Sequence, residues 1–320
     1  MAAGRDLRGP RQGARRSFFV VSWAVSALAA ALVTAGCGPR YTYPASTVPS
    51  SIERIALSEY KLEVEARVVG RTVGAALYLD SIVDATGQIP KDVHEQMGQL
   101  MQVVTRVALS TDLSLDYCTV LIRDTKTFAE LNITRSLDDI KRANADAIGI
   151  EESINRTLFG QGRYHPGPEG SRPPLVIEDV RKEKFLTEQI AQRIRFSLAK
   201  DGQEGAVQGF TLVDGNFDES GGRRVFRFSV LTLKSEDPRE TILEIFKLTN
   251  QVLQGYRYGD FDRIEIQDYL NRQKLIIDRQ VLFDYQQKKI LDREILERFL
   301  TESQSIQEAF KLFGFSMPAE

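Results

Sequence analysis

Cysteine and histidine are nearly absent: two of each in a chain of 320 residues. A disulfide framework needs pairs, and a zinc site built by the protein alone needs about four Cys or His ligands, so neither organises this chain. Charge of one sign is also lacking, since 42 Lys and Arg stand against 44 Asp and Glu. That balance removes the broad cationic surface that sequence-independent nucleic-acid binding requires. Catalytic signatures are missing as well. There is no GxxxxGK[ST] phosphate loop, no GxSxG elbow, no HExxH pair and no Cys/His dyad. No catalytic residue, cofactor site or metal site is read from the sequence, which argues against an enzyme. With 42% hydrophobic and 27% charged residues, the chain is still an ordinary globular one, long enough for about two domains.

The first 36 residues differ from the rest. Arg5, Arg8, Arg11, Arg15 and Arg16 form a basic start, and Phe18 to Ala35 is apolar. The run closes with Leu32-Val33-Thr34-Ala35-Gly36-Cys37. Small residues before a cleavage point end a secretory signal. This segment resembles the lipobox of bacterial lipoproteins, with Thr34 standing where that motif usually has Leu. The resemblance implies cleavage after Gly36, lipidation of Cys37, and a mature chain anchored in a membrane of the cell envelope. It would face the periplasm or the exterior, and Gly38 after the cysteine favours an outer membrane. Arg15-Arg16-Ser17-Phe18-Phe19 also resembles a twin-arginine signal, with departures at Ala14 and Val20. A competing reading keeps Phe18 to Ala35 as an uncleaved anchor, since it is about as long as the shortest spanning helix. The Ala-Gly-Cys ending has no purpose in a plain anchor. Five Arg and one Asp give the first 36 residues +4, so against −2 for the whole chain the remainder carries −6.

The sequence divides into a signal over 1–36, a tether over 37–50, one α+β domain over 51–160, a Gly/Pro-rich linker over 161–183 and a second α+β domain over 184–320. In the first domain a helix runs to about Glu59, followed by strands at Leu62 to Val69 and Thr72 to Leu79. A long helix after Pro90 carries Val93, Met97, Leu100, Met101, Val104 and Val107 on one stripe. Strands at about 116–123 and 127–134 and helices after Ser136 and from Glu151 complete it. The second domain repeats this order: helix 184–198, strands 207–214 and 224–233, a helix opened by Pro238, strands 262–268 and 274–283, then helices 292–301 and 306–313. Each domain is thus expected to be a small, mainly antiparallel sheet with helices on one face. Sliding the sequence by 144 positions pairs Asp116 with Asp260, Ile122 with Ile266, Asp124 with Asp268, Leu131 with Leu275, Ile133 with Ile277 and Arg135 with Arg279. That pattern is what an internal duplication would leave.

Several residues compete for a chemical role. Asp138, Asp139, Glu151 and Glu152 could meet as a carboxylate cluster, although acidic first turns of helices account for them. Asp214, Asn216 and Asp218 have the oxygen spacing that opens a calcium loop, but Glu219 and Val225 break the pattern. His94 reads as a partly buried structural residue and Cys118 as a buried, inert thiol. Phe226 and Phe228 share one face of a strand by alternation, with Tyr256 and Tyr258 in the same domain. If exposed, these four aromatics would form a partner surface; otherwise they pack under the Pro238 helix. The function expected is that of a lipid-anchored envelope protein with protein partners and a binding or assembly role. A carrier of a small apolar ligand is the alternative, and a carboxylate-based hydrolase a weaker one.

Overall fold

The computed structural model describes residues 41–165, 167, 173–200, 211–232, 237–302 and 312–314. The chain divides into two units, Met1–Thr42 and Tyr43–Glu320. All the elements below lie in the second. Its first half runs α1 (Val48–Tyr60), β1 (Val64–Val69), β2 (Thr72–Leu79), α2 (Lys91–Leu109), β3 (Tyr117–Asp124), β4 (Ala129–Ser136), α3 (Leu137–Asn144), α4 (Ile150–Asn155) and β5 (Leu158–Arg163). Its second half runs α5 (Lys182–Lys200), β6 (Thr211–Asp218), β7 (Val225–Thr232), α6 (Pro238–Gly255), β8 (Arg263–Asp268), β9 (Gln273–Asp278), α7 (Arg279–Gln286), α8 (Asp292–Phe299) and β10 (Leu300–Glu302).

The two halves share one topology within an α+β fold. The sheets have the orders β1-β2-β3-β4-β5 and β10-β9-β8-β7-β6, the same succession along the chain. All neighbours are antiparallel except the pairs β2–β3 and β7–β8. Those parallel pairs are the ones joined by the long helices α2 and α6, because a parallel connection needs a crossover. Helices cover one face of each sheet. In the first half, Ile52, Leu100 and Val104 pack on Val73, Ala75 and Val120. In the second, Ile190, Ile242 and Phe246 pack on Phe226, Phe228 and Ile264. Each of these side chains other than Ala75 contributes roughly 1.5–3 kcal/mol by leaving water.

Equivalent hydrogen bonds fix the correspondence. The amides of Asp116 and Asp262 donate to the carbonyls of Arg71 and Arg224, both at 2.8 Å. At the far ends of these strands, Thr125 donates to Leu79 and Tyr269 to Val230. The offset of 144 therefore holds at the β3–β4 and β8–β9 turns, where Asp124 matches Asp268. It fails at the open ends, because β8 and β9 are each two residues shorter than β3 and β4. Asp116 corresponds to Asp262 rather than Asp260, and Leu137, not Arg135, corresponds to Arg279 as the first residue of its helix.

Several boundaries differ from the sequence reading. Strand β5 occupies 158–163, where Gly160 and Gly162 had suggested a break. Glycine is tolerated there because β5 is an edge strand. Strand β9 stops at Asp278, which occupies the N-cap position of α7; the apolar run through Phe283 had hidden that switch. Helix α8 ends at Phe299 and is followed by β10. The expected strand start at 207–210 and most of the expected helix 306–313 fall outside the described residues. At the N-terminal side the fold begins earlier than a tether to residue 50 allows. The Tyr43 amide donates to the Ser110 carbonyl at 3.1 Å, and Val48 of α1 is fully buried.

The second part of the expected linker is a strap. Residues 173–181 cross the outer face of the first sheet, with Leu175 and Ile177 packed on Ala76 and Leu121. The Leu175 amide donates to Glu65 at 3.2 Å, the Arg71 amide to Asp179 at 2.9 Å and the Val180 amide to Thr72 Oγ1 at 2.9 Å. Two glycines make room for it. A Cβ at Gly74 would overlap Ile177, and one at Gly70 would overlap the Asp179 carboxylate. Gly70 also turns the β1–β2 hairpin with φ of 55°, in the left-handed region that favours glycine.

Candidate functional site

The aromatic hairpin is core, not surface. Phe226 and Phe228 are buried on the helix side of β7, with Phe226 against Phe217, Tyr258 and Phe261. Tyr258 is buried too, and its hydroxyl donates to Glu183 at 3.0 Å. The alternation that grouped these residues is correct. Their side faces α5 and α6, so the four do not form an exposed patch.

Tyr256 instead belongs to a junction between the halves. Helix α5 is buried on two sides. Leu186, Ile190 and Ile194 enter the second core, while Phe185, Gln189, Gln192 and Arg193 turn toward the first half. Phe185 lies between Tyr117 of β3 and Tyr256, with ring centroids 5.0 and 6.0 Å away. The Gln192 side chain joins the Thr157 carbonyl, at 2.8 Å, to the Phe159 amide, at 2.9 Å. Beside this contact, Arg156 donates to Asp139 at 2.8 Å and to Glu152 at 2.7 Å. Arg193 of α5 also donates to Glu152, at 3.0 Å, and the Tyr256 hydroxyl donates to Asp139. The Arg156 guanidinium stacks 4.6 Å from the Tyr256 ring.

Of the four acids grouped from the sequence, Asp139 and Glu152 therefore meet, through Arg156. They meet as ion-pair partners. Burial pushes the Glu152 carboxyl up, but Arg156 and Arg193 outweigh it and hold it below its usual value. Burial and Asp139 push the Tyr256 phenol upward. Asp138 and Glu151 are exposed and stay outside the network. His94 is exposed on α2, with Nδ1 3.1 Å from the Pro90 carbonyl, so it is less buried than expected. Cys118 is fully buried beside Met101, and burial pushes its thiol up to about 11. Asp214, Asn216 and Asp218 lie along β6, which spreads them over about 13 Å rather than around an ion. Among the described residues no cluster of His, Cys, Asp and Glu could hold a metal. Cys37 lies outside the described residues.

A groove of about 560 Å³ lies between the outer face of the first sheet, the strap and α5. Thr119, Leu121, Asn132 and Thr134 form its floor, and Lys184, Glu188 and Arg195 its helical wall. Thr119 and Thr134 hydrogen-bond each other across β3 and β4 at 2.9 Å. Burial raises the Glu188 carboxyl, against the Arg195 guanidinium 3.8 Å away. Phe159 and Val176 line the rim at 52% and 69% exposure, which gives the groove apolar contact points among charges. The sequence did not reveal this site, because its walls are brought together by the strap. Gly74, a glycine inside the apolar run of β2, is the local signal that could have found it.

No family model matches this chain. No curated protein matches it either. Among solved structures, one described as the sex pheromone staph-cAM373 precursor is similar over 68% of this chain and 70% of its own, with 11% identity and a TM-score of 0.18. A likeness of that degree carries no argument about fold or function.

Proposed function

We propose that this chain is an exported, lipid-anchored protein of the cell envelope with a non-catalytic binding or assembly role. The observation that carries the reading is the lipobox-like ending at Cys37, close in sequence to Tyr43, whose amide bonds to Ser110. Tyr43 is six positions after Cys37, a reach of at most roughly 20 Å. Within that reach the body stays against the membrane that holds the lipid, and Gly38 favours an outer membrane. The acids that meet in the fold support a structural role, since each is matched by an arginine. A catalytic carboxyl pair needs two acids pushed to different pKa values. The carrier reading finds less support, because Phe226, Phe228, Phe246 and Phe261 fill the space between the second sheet and its helices. The groove rimmed by Phe159 and Val176 is the surface best suited to a protein partner. Metabolic labelling with a fatty acid, followed by affinity capture from detergent-solubilised envelopes, tests the reading. The parent should incorporate the label and co-purify with envelope proteins, while Cys37→Ser, which has no thiol to acylate, should incorporate none. Equal labelling of the two forms, or no label in either, would contradict it.

A further inference from the structure

We propose that a second groove, at the junction of the halves, binds the phosphate-bearing headgroup of an anionic phospholipid. This groove holds about 540 Å³. Lys141 and Arg142 of α3, Lys182 at the start of α5 and Arg257 just beyond α6 converge on it. The four cations come from both halves, so the fold assembles the cluster.

Two acids share the lining, Asp116 and Asp138. Asp116 is already neutralised by Arg71 at 2.8 Å. Arg142 lies 3.8 Å from Asp139, but Asp139 takes its closer bond from Arg156. Cationic charge is therefore left over in the groove. Hydrogen-bonding capacity is left over too. Tyr117 and Ser136 are 5% and 8% exposed and line the groove, yet neither hydroxyl has a hydrogen-bond partner among the described residues. Ser136 occupies the N-cap position of α3 without making a cap hydrogen bond. Two unpaired hydroxyls on the groove lining, beside guanidinium and ammonium groups, match the tetrahedral acceptor oxygens of a phosphate.

The groove also lies near Tyr43, the first residue of its unit. Tyr43 bridges to Thr111, and Leu115, four residues on, lines the groove. That separation is at most about 15 Å along the chain. The −6 of the chain after residue 36 opposes an anionic surface in general, but screening limits that repulsion to about 8 Å at physiological salt. A local cationic groove can then decide the contact. The choice of a membrane lipid as the source of the phosphate rests on the lipid-anchor reading.

The test uses residues 37–320 with Cys37→Ser, which keep the whole Tyr43–Glu320 unit and remove the lipid. Co-sedimentation is measured with vesicles of phosphatidylglycerol in phosphatidylcholine and of phosphatidylcholine alone. The protein should bind the first, less so as salt rises, and not the second. Lys141→Gln with Arg257→Gln should lower binding roughly thirty-fold, while Lys126→Gln with Lys288→Gln, an equal charge change elsewhere, should leave it unchanged. Thermal melts confirm that both variants are folded. Equal binding to both vesicles, no binding to either, or an unaffected groove variant would overturn the proposal. Saturable binding of inorganic phosphate without a vesicle preference would overturn the membrane source. None of these outcomes depends on whether Cys37 is acylated.

Discussion

The outer faces of the two sheets make an instructive pair. Gly74 of β2 occupies the position that Arg227 holds in β7, two strands that follow matching hairpins into matching parallel neighbours. In the first half that face is built of small residues under the centre of the strap, with Gly74 and Ala76 beneath Ile177 and Leu175. In the second half it is a charged surface, where Glu265 lies between Arg227, at 3.5 Å, and Lys274, at 3.4 Å. One fold thus serves two purposes. The first sheet is covered by the strap at Gly74 and holds the junction, while at the equivalent position of the second sheet Arg227 is exposed, and the buried outer-face cluster there is confined to Leu231 and Tyr269 among the described residues. The helix-facing sides compensate in volume: Val73 and Ala75 stand where the second half has Phe226 and Phe228.

The largest expected effect comes from the ion-pair network at the junction. Arg156→Met leaves Asp139 buried and Glu152 half-buried without their shared cation and should cost about 3–5 kcal/mol in urea unfolding. A loss below about 1 kcal/mol would show that the junction is held by Phe185 and its neighbours alone. Gly74→Val should cost about 1–3 kcal/mol by displacing Ile177, whereas Arg227→Val at the exposed equivalent position should change stability by less than about 0.5 kcal/mol. Equal costs would erase the distinction between the two faces.

The paired turn aspartates sharpen the comparison further. Burial raises the Asp124 carboxyl, but the amides of Thr127, Lys126 and Ile82 outweigh it and leave it below its ordinary 3.8. Burial also raises Asp268, and there the bonds from Asn271 and Leu270 do not overcome it. Asp124→Asn should therefore cost about 1–2 kcal/mol near neutral pH, and Asp268→Asn much less. The pH dependences should run in opposite directions. Stabilisation from Asp124, and from Glu152 below its ordinary 4.5, is complete above those values and is lost as pH falls through the lower folded values. Asp268 disfavours the folded state once ionised, and that penalty is relieved as pH falls through its raised value. Urea titrations from neutral to acid pH on the parent and the two Asn variants check both signs. The smallest effect is expected from cleavage after Glu169, just before the strap. A Glu-specific protease should cut there without separating the halves on a sizing column, because the junction does not depend on that peptide bond.

Local periodicity made most of the fold legible. The stripes of α2 and α6 and the alternation of β1, β3, β7 and β8 placed those elements to within a few residues, and the repeated order gave the two-half architecture. The misses have local causes. Gly160 and Gly162 disguised β5 as a break, and an unbroken apolar run carried β9 past Asp278. The site was less legible. Asp139 and Glu152 were visible as candidates, but Arg156, Arg193 and Tyr256, which decide their chemistry, come from separate elements. The aromatics at 226 and 228 were grouped correctly, yet alternation specifies a shared face without saying which face is covered. The strap was read as a linker because its anchors, Gly70, Gly74 and Thr72, lie about a hundred residues earlier.

The lipid-anchor reading is tested most directly by the intact mass of the protein purified from its own envelope. The account predicts a chain that begins at Cys37 and carries the added mass of acyl groups on that residue. A mass of 36.0 kDa, that of the whole unprocessed chain, would contradict it.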